Sequence, residues 1–153
     1  MALLSQFQSA SAADFKIVAS TLGEARFYAQ HGFADVLYGV PIVASKLDAC
    51  AAIAALAPLF SVLIDSHAAL DALEQHAIKG QHTGRAPTAW QWRVFLDVDP
   101  GYHRSGVQPQ SAEAMQLAQR LVQSPHVLFR GIYTHAGHSY LCKVRTESVT
   151  GSW

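Results

Sequence analysis

Three short stretches of this sequence hold groups that can bind an anion, stack on a planar ring or move a proton. The first reads Leu96-Asp97-Val98-Asp99-Pro100-Gly101-Tyr102-His103-Arg104-Ser105-Gly106-Val107: two acids, a Pro-Gly turn, then Arg104 beside small residues. A guanidinium placed there can hold a phenolate or a carboxylate through directed donors. The same spacing also suits a plain polar turn in which Arg104 pairs with Asp97 or Asp99. The second reads Gly131-Ile132-Tyr133-Thr134-His135-Ala136-Gly137-His138-Ser139-Tyr140. Its planar rings suit stacking on a planar cofactor, and a phenol or imidazole can carry a proton. The third is Ser20-Thr21, whose hydroxyls and following amides could meet an anion at a helix start. There Thr21-Leu22-Gly23-Glu24 forms a capping box, which already occupies those groups.

Competing chemistries fit less well. His135, His138 and Cys142 are all zinc-binding types. Their spacing matches no usual structural zinc pattern and lacks a fourth ligand, so no metal ligand is assigned. Glycines 32, 39, 80 and 84 are scattered singly, which disfavours a phosphate-cradling loop. No Gly-x-Ser-x-Gly frame marks a serine hydrolase. Cys50 sits among alanines and reads as core.

Eleven basic and eleven acidic side chains cancel to zero formal charge, which argues against nucleic acid or an anionic membrane as partner. The longest apolar run, Ala49 to Phe60, is interrupted by Pro58 and falls short of the roughly twenty residues of a membrane span. Two distant cysteines and no secretory leader fit a reduced, cytoplasmic setting.

The elements that must carry these stretches follow from periodicity. Lys16–Ser20, Val36–Val40, Phe60–Asp65, Trp92–Val98 and Val127–Thr134 read as strands. Between them, helices are expected from Thr21 to Gly32, Ser45 to Ala57, Ser66 to Ala77 and Ser111 to Gln123, each beginning at a hydroxyl cap. The longest polar connection, Gly80 to Pro87, reads as a surface loop. Strict alternation of five apolar strands with four helices predicts an α/β domain with a parallel sheet, either doubly wound or part of a (β/α)8 barrel. In both, functional groups belong at the C-terminal ends of strands. Residues 1–14 read as a leader, 15–140 as the folded domain and 141–153 as a divergent tail.

Taken in order, Ile17 to Phe27, Leu96 to Val107 and Gly131 to Tyr140 resemble the eukaryotic-type D-serine dehydratases and the related D-threonine aldolases. The resemblance covers Lys16 to Tyr140 and implies the alanine-racemase-like fold, a TIM-type barrel carrying pyridoxal phosphate at its C-terminal mouth. It therefore selects a partial barrel over an open sheet. It implies that Arg104 addresses the cofactor's phenolic oxygen, that His135 packs on the pyridine ring, and that Tyr140 lines the cofactor and substrate pocket. The family activity it implies is conversion of D-serine to pyruvate and ammonia, with zinc assisting loss of the hydroxyl, by a homodimer. D-threonine aldolase chemistry, or a non-catalytic fragment or pyridoxal-phosphate-binding protein, is the alternative.

The family's Schiff-base lysine ends the first barrel strand, upstream of the part that resembles Ile17 to Phe27. None of the four lysines, Lys16, Lys46, Lys79 and Lys143, matches it, so no catalytic residue is assigned. The zinc-binding domain and phosphate loop of the family lie beyond Trp153. The expectation is a fragment that binds neither pyridoxal phosphate nor zinc stably and is inactive alone. Five strands leave edges and apolar surface open. The isolated polypeptide is accordingly expected to be marginal and to self-associate; a cooperative unfolding transition from a monomer in analytical ultracentrifugation contradicts this.

Overall fold

A computed structural model describes residues 11–83 and 90–141. Five strands alternate with four helices: β1 (Lys16–Ala19), α1 (Leu22–Gln30), β2 (Asp35–Pro41), α2 (Leu47–Ala54), β3 (Ser61–Ile64), α3 (His67–His82), β4 (Trp92–Asp97), α4 (Ala112–Gln123) and β5 (Val127–Tyr133). Every neighbouring pair is parallel, and the order across the sheet is the order in the chain. A doubly wound sheet reverses its strand order at a switch point; this one does not. Right-handed crossovers between consecutive parallel neighbours put every helix on the same side, which is the geometry of a barrel arc.

Alternation along the strands divides the two faces. Val36, Tyr38, Val62, Ile64, Trp92, Val94 and Leu96 join Ala25, Cys50, Ile53, Leu70, Leu73, Leu117 and Leu121 from the helices in one buried cluster. The intervening Leu37 and Leu63 are buried too but lie outside that cluster, on the concave face. Val18, on the same face of the edge strand β1, is 56% exposed. Cys50 is fully buried, and burial pushes its thiol up to about 12 despite the nearby Lys46 ammonium.

Most helix ends follow the caps expected. Thr21 Oγ1 accepts from the Glu24 amide at 3.1 Å while the Glu24 carboxylate takes the Thr21 and Ser20 amides, and Gly32 closes α1 at φ 86°. Ser66 and Ser111 cap α3 and α4 through the Ala69 and Ala114 amides. Ser45 does not cap α2. It lies in a 3₁₀ turn at Ala44–Lys46, because the Ile42 amide still bonds to Leu63 O and the chain must turn away from the sheet before a helix can begin.

One further boundary differs from the sequence reading. Helix α3 runs on to His82, closed by the Thr83 hydroxyl bonding to Lys79 O and Gly80 O, so residues 80–82 are helical; residues 84–87 of the expected loop lie outside the described residues. The first described element is a 3₁₀ turn, Ala12–Asp14, where Asp14 accepts from the Ser11 amide; residues 1–10 of the expected leader lie outside the described residues. Of the expected tail only Leu141 is described, at the end of a further 3₁₀ turn, Gly137–Leu141. Among the described residues no helix is long and apolar enough to cross a membrane.

One irregularity sets up the mouth of the arc. Val94 pairs with Phe129, but Phe95 pairs with Gly131, so Arg130 is an extra residue in β5. Phe129 packs against the helix-side core, and the bulge then turns Gly131, Tyr133 and His135 toward the concave face. Gly131 adopts φ 131°, a conformation that L side chains rarely take, with Phe95 Cε1 across from it. Gly131→Ala is therefore expected to cost about 1–3 kcal/mol in stability, read from the shift in the urea unfolding midpoint of purified protein.

Candidate functional site

After β4 the chain leaves the sheet for eight residues and returns beside its own exit. Val98 and Val107 form a β-bridge, with the Asp99 amide donating to Val107 O and the Val107 amide to Asp97 O, both at 3.0 Å. Inside this closed loop Asp99, 2% exposed, accepts from the Gly101 amide (2.9 Å), the His103 amide (3.0 Å), His103 Nδ1 (2.8 Å) and Gln108 Nε2 (2.8 Å). Burial alone would raise this carboxyl, but the donors from His103, Gln108 and Gly101 outweigh it and hold it at about 2. His103 takes φ 55° within this turn, and the next residue, Arg104, is carried out into solvent.

Arg104 forms no ion pair with Asp97 or Asp99 among the described residues. Asp99 is filled by its own loop. The guanidinium instead lies 5.8 Å from the centre of the Tyr102 ring, and its charge acts on Asp97 and Tyr133. Asp97 ends β4 opposite Tyr133 of β5 and is 2% exposed. Burial pushes its carboxyl above the usual value; a hydrogen bond from Ser105 opposes this, Asp65 adds to it, Arg104 draws it down and Asp99 adds again. Burial also raises the Tyr133 phenol, with Asp97 next and Arg104 opposing. Asp65, just past β3, accepts weakly from the Gly106 amide at 3.4 Å and joins three strand ends into one polar rim.

Beyond β5, His135 is half-buried and Tyr140, in the 3₁₀ turn, is 81% exposed; their ring centres are 6.3 Å apart at 75°. Tyr102, arriving from the β4 loop, stands 5.9 Å from His135 edge-on and 5.8 Å from His138. Arg104, His135 and Tyr140 thus meet at one mouth, although 31 residues separate the first two in sequence.

The remaining sequence candidates fall elsewhere. Ser20 and Thr21 are taken up by the α1 cap. Lys16 starts β1 at the opposite end of the sheet, Lys79 lies on α3, and the Lys46 amine donates to the Tyr38 phenol at 2.7 Å behind the sheet. Lys143 and Cys142 lie outside the described residues. Among the described residues no group of three or more His, Cys, Asp or Glu is placed to hold a metal. Two hollows, one of about 260 Å³ lined by Phe60, Trp90 and Trp92 and one of about 860 Å³ between α2 and α3, share no residue with the mouth.

Four groups at the site escaped the sequence reading: Asp65, Tyr102, Ser105 and Tyr133. Tyr133 was legible in principle, since it stands two residues from His135 and shares its face of the strand. Asp65 carried no signal beyond ending a strand.

The profile of the alanine racemase N-terminal domain matches residues 3–149. Among curated proteins, a D-serine dehydratase of Dictyostelium discoideum is 33% identical over 136 residues, covering 86% of this chain and 33% of its own length. A D-serine dehydratase of Schizosaccharomyces pombe is 33% identical, covering 69% of this chain and 25% of that protein. The solved structure of D-threo-3-hydroxyaspartate dehydratase from Delftia sp. HT23 superposes with a TM-score of 0.69 at 26% identity, over 94% of this chain and 35% of that one. The chain therefore spans a quarter to a third of the length of these curated relatives.

Asp99 gives the site a specific acid sensitivity. Its folded-state value of about 2 lies below the unfolded value of about 3.9, so the stabilisation it provides is complete above pH 4 and is lost as pH falls toward 2. Asp99→Asn is expected to flatten that part of the pH dependence, read as urea midpoints between pH 5 and 2.

Proposed function

This chain belongs to the alanine racemase N-terminal domain family, and from that premise we propose that it forms the ring-facing part of a pyridoxal-phosphate site in a lyase acting on small D-amino acids, D-serine first among them. The observation that carries this reading is the meeting of Arg104 and His135 at the C-terminal ends of β4 and β5. Arg104 offers five donors with no carboxylate paired to them among the described residues. A phenolate oxygen suits such a guanidinium, and the half-buried His135 imidazole suits the face of a pyridine ring. The residues present fit the ring and its phenolic oxygen.

When bound, pyridoxal phosphate supplies an electron sink for charge developing at the substrate's α-carbon. The chain's own groups account for placement and charge. Arg104 would hold the ring oxygen through its guanidinium donors, and its charge restrains the rise of Asp97 and Tyr133. With its phenol raised above the ordinary value, Tyr133 stays protonated near neutrality and can donate a hydrogen bond but not abstract a proton. The Asp97 carboxylate faces the same side and opposes any anion that is not neutralised by Arg104. Tyr140, exposed beside His135, would line the same pocket.

Anchoring is the part these residues do not supply. No lysine amine stands beside Arg104 and His135 among the described residues. The chain alone is therefore proposed to hold the cofactor reversibly and to turn over no D-serine. Dehydration of D-serine is favoured over aldol cleavage of D-threonine because dehydratases recur among the similar sequences.

Titration of the purified chain with pyridoxal phosphate should show reversible binding that weakens in Arg104→Ala, and borohydride should leave the intact mass unchanged. Absence of any Arg104-dependent binding overturns the cofactor reading. A reduced adduct on one of the four lysines, or pyruvate released from D-serine, overturns the inactive-alone reading; acetaldehyde released from D-threonine would favour the aldolase.

A further inference from the structure

We infer that Tyr102 is a positioning residue that ties Arg104 and His135 into one unit, an inference that rests on the cofactor reading above. Arg104 and His135 come from separate strand ends. The backbone joins those ends lower down, where the Val98 amide donates to Tyr133 O at 2.9 Å. Above that bond, the β4 loop meets the β5 segment through the Tyr102 ring. One side of the ring faces the Arg104 guanidinium at 5.8 Å. The ring also meets His135 edge-on at 5.9 Å and 60°, and His138 at 5.8 Å and 32°.

Two further features bear on that placement. Gly137 is shaped around it: a Cβ there would stand 2.8 Å from Tyr102 Cε1, 3.0 Å from Tyr102 Cζ and 3.0 Å from His135 Nε2. At its root, Tyr102 sits between two residues whose amides Asp99 holds, Gly101 and His103, so the ring projects from a clamped backbone. Tyr102 is nevertheless 40% exposed, so its ring gains little from burial in the core. Its contacts are with the two residues proposed to face the cofactor, and with the imidazole next to them.

Contact through the ring faces and edges assigns the role to the aromatic ring and not to the hydroxyl. Tyr102→Phe should keep the unit intact, and Tyr102→Leu, which removes the ring but keeps an apolar side chain, should release it. Gly137→Ala should act like Tyr102→Leu by displacing the same ring from the other side.

The test uses the whole chain with ¹³C-labelled histidine. Tyr102→Leu and Gly137→Ala are expected to move the His135 and His138 Cε1–Hε1 resonances, with the far-UV circular dichroism unchanged, and Tyr102→Phe to leave them in place. Reversible pyridoxal-phosphate binding should weaken roughly threefold in Tyr102→Leu, the scale of one exposed cation–ring contact, and recover in Tyr102→Phe. In the presence of Tyr102, Arg104→Gln and His135→Ala should weaken binding non-additively; in the Tyr102→Leu background their effects should add. Unmoved histidine resonances in Tyr102→Leu and Gly137→Ala, or a Tyr102→Phe variant as disturbed as Tyr102→Leu, overturn the inference. If the unaltered chain binds no pyridoxal phosphate, the cofactor reading falls, while the resonances still decide whether Tyr102 holds His135.

Discussion

The mouth of this half-barrel depends on one buried carboxylate. Asp99 receives four donors, from the Gly101 and His103 amides, the His103 imidazole and the Gln108 side chain, so the turn from Pro100 to Gln108 closes around it. A carboxylate buried without such donors would be driven to protonate; with them it stays charged far below its ordinary range. That satisfaction has a consequence for its neighbour in sequence space. Because Asp99 needs no arginine, Arg104 remains free of a carboxylate partner among the described residues and available to another anion.

Asp97, two residues earlier, behaves in the opposite way although it belongs to the same strand end. It has one hydrogen-bonding side chain, Ser105, and two acids nearby, so its carboxyl is raised where that of Asp99 is lowered. Two carboxyls with environments that drive them apart are a usual mark of a functional site. Here the divergence has a structural source: alternation turns both toward the concave side, but only Asp99 lies within the loop that supplies amides. The raised pair, Asp97 and Tyr133, lies across the β4–β5 register from each other with the arginine acting on both.

The bulge at Arg130 is what allows the second half of the site to join the first. Without the extra residue, the strand residues after Phe129 would keep the opposite alternation, and His135 would project among the helices. The glycine at 131 makes the offset feasible, and the glycine at 137 lets the turn that follows pass close to Tyr102. Two small residues therefore set the approach of β5 to the β4 loop, and their roles are geometric. The lysines are arranged quite differently: each described one is placed at the far end of the sheet, on a helix, or against a phenol behind the sheet.

Much of this was legible from the chain alone. The strand and helix alternation, the Thr21 capping box, the Gly32 stop, the buried Cys50 and the two segments bearing Arg104 and His135 all follow from local pattern, since caps and period-two or period-four spacing act over a few residues. The same local logic failed at Ser45, where a backbone bond from Ile42 to the neighbouring strand delayed the helix, and it stopped α3 short of His82. Sequence could not decide whether Arg104 would be consumed by Asp97 or Asp99, nor that Tyr102 would reach His135. Those outcomes depend on the loop closing between Val98 and Val107 and on a one-residue offset between two strands more than thirty residues apart. Residue types and caps are properties of a segment; partners across a sheet are set by register, which only the packed structure fixes.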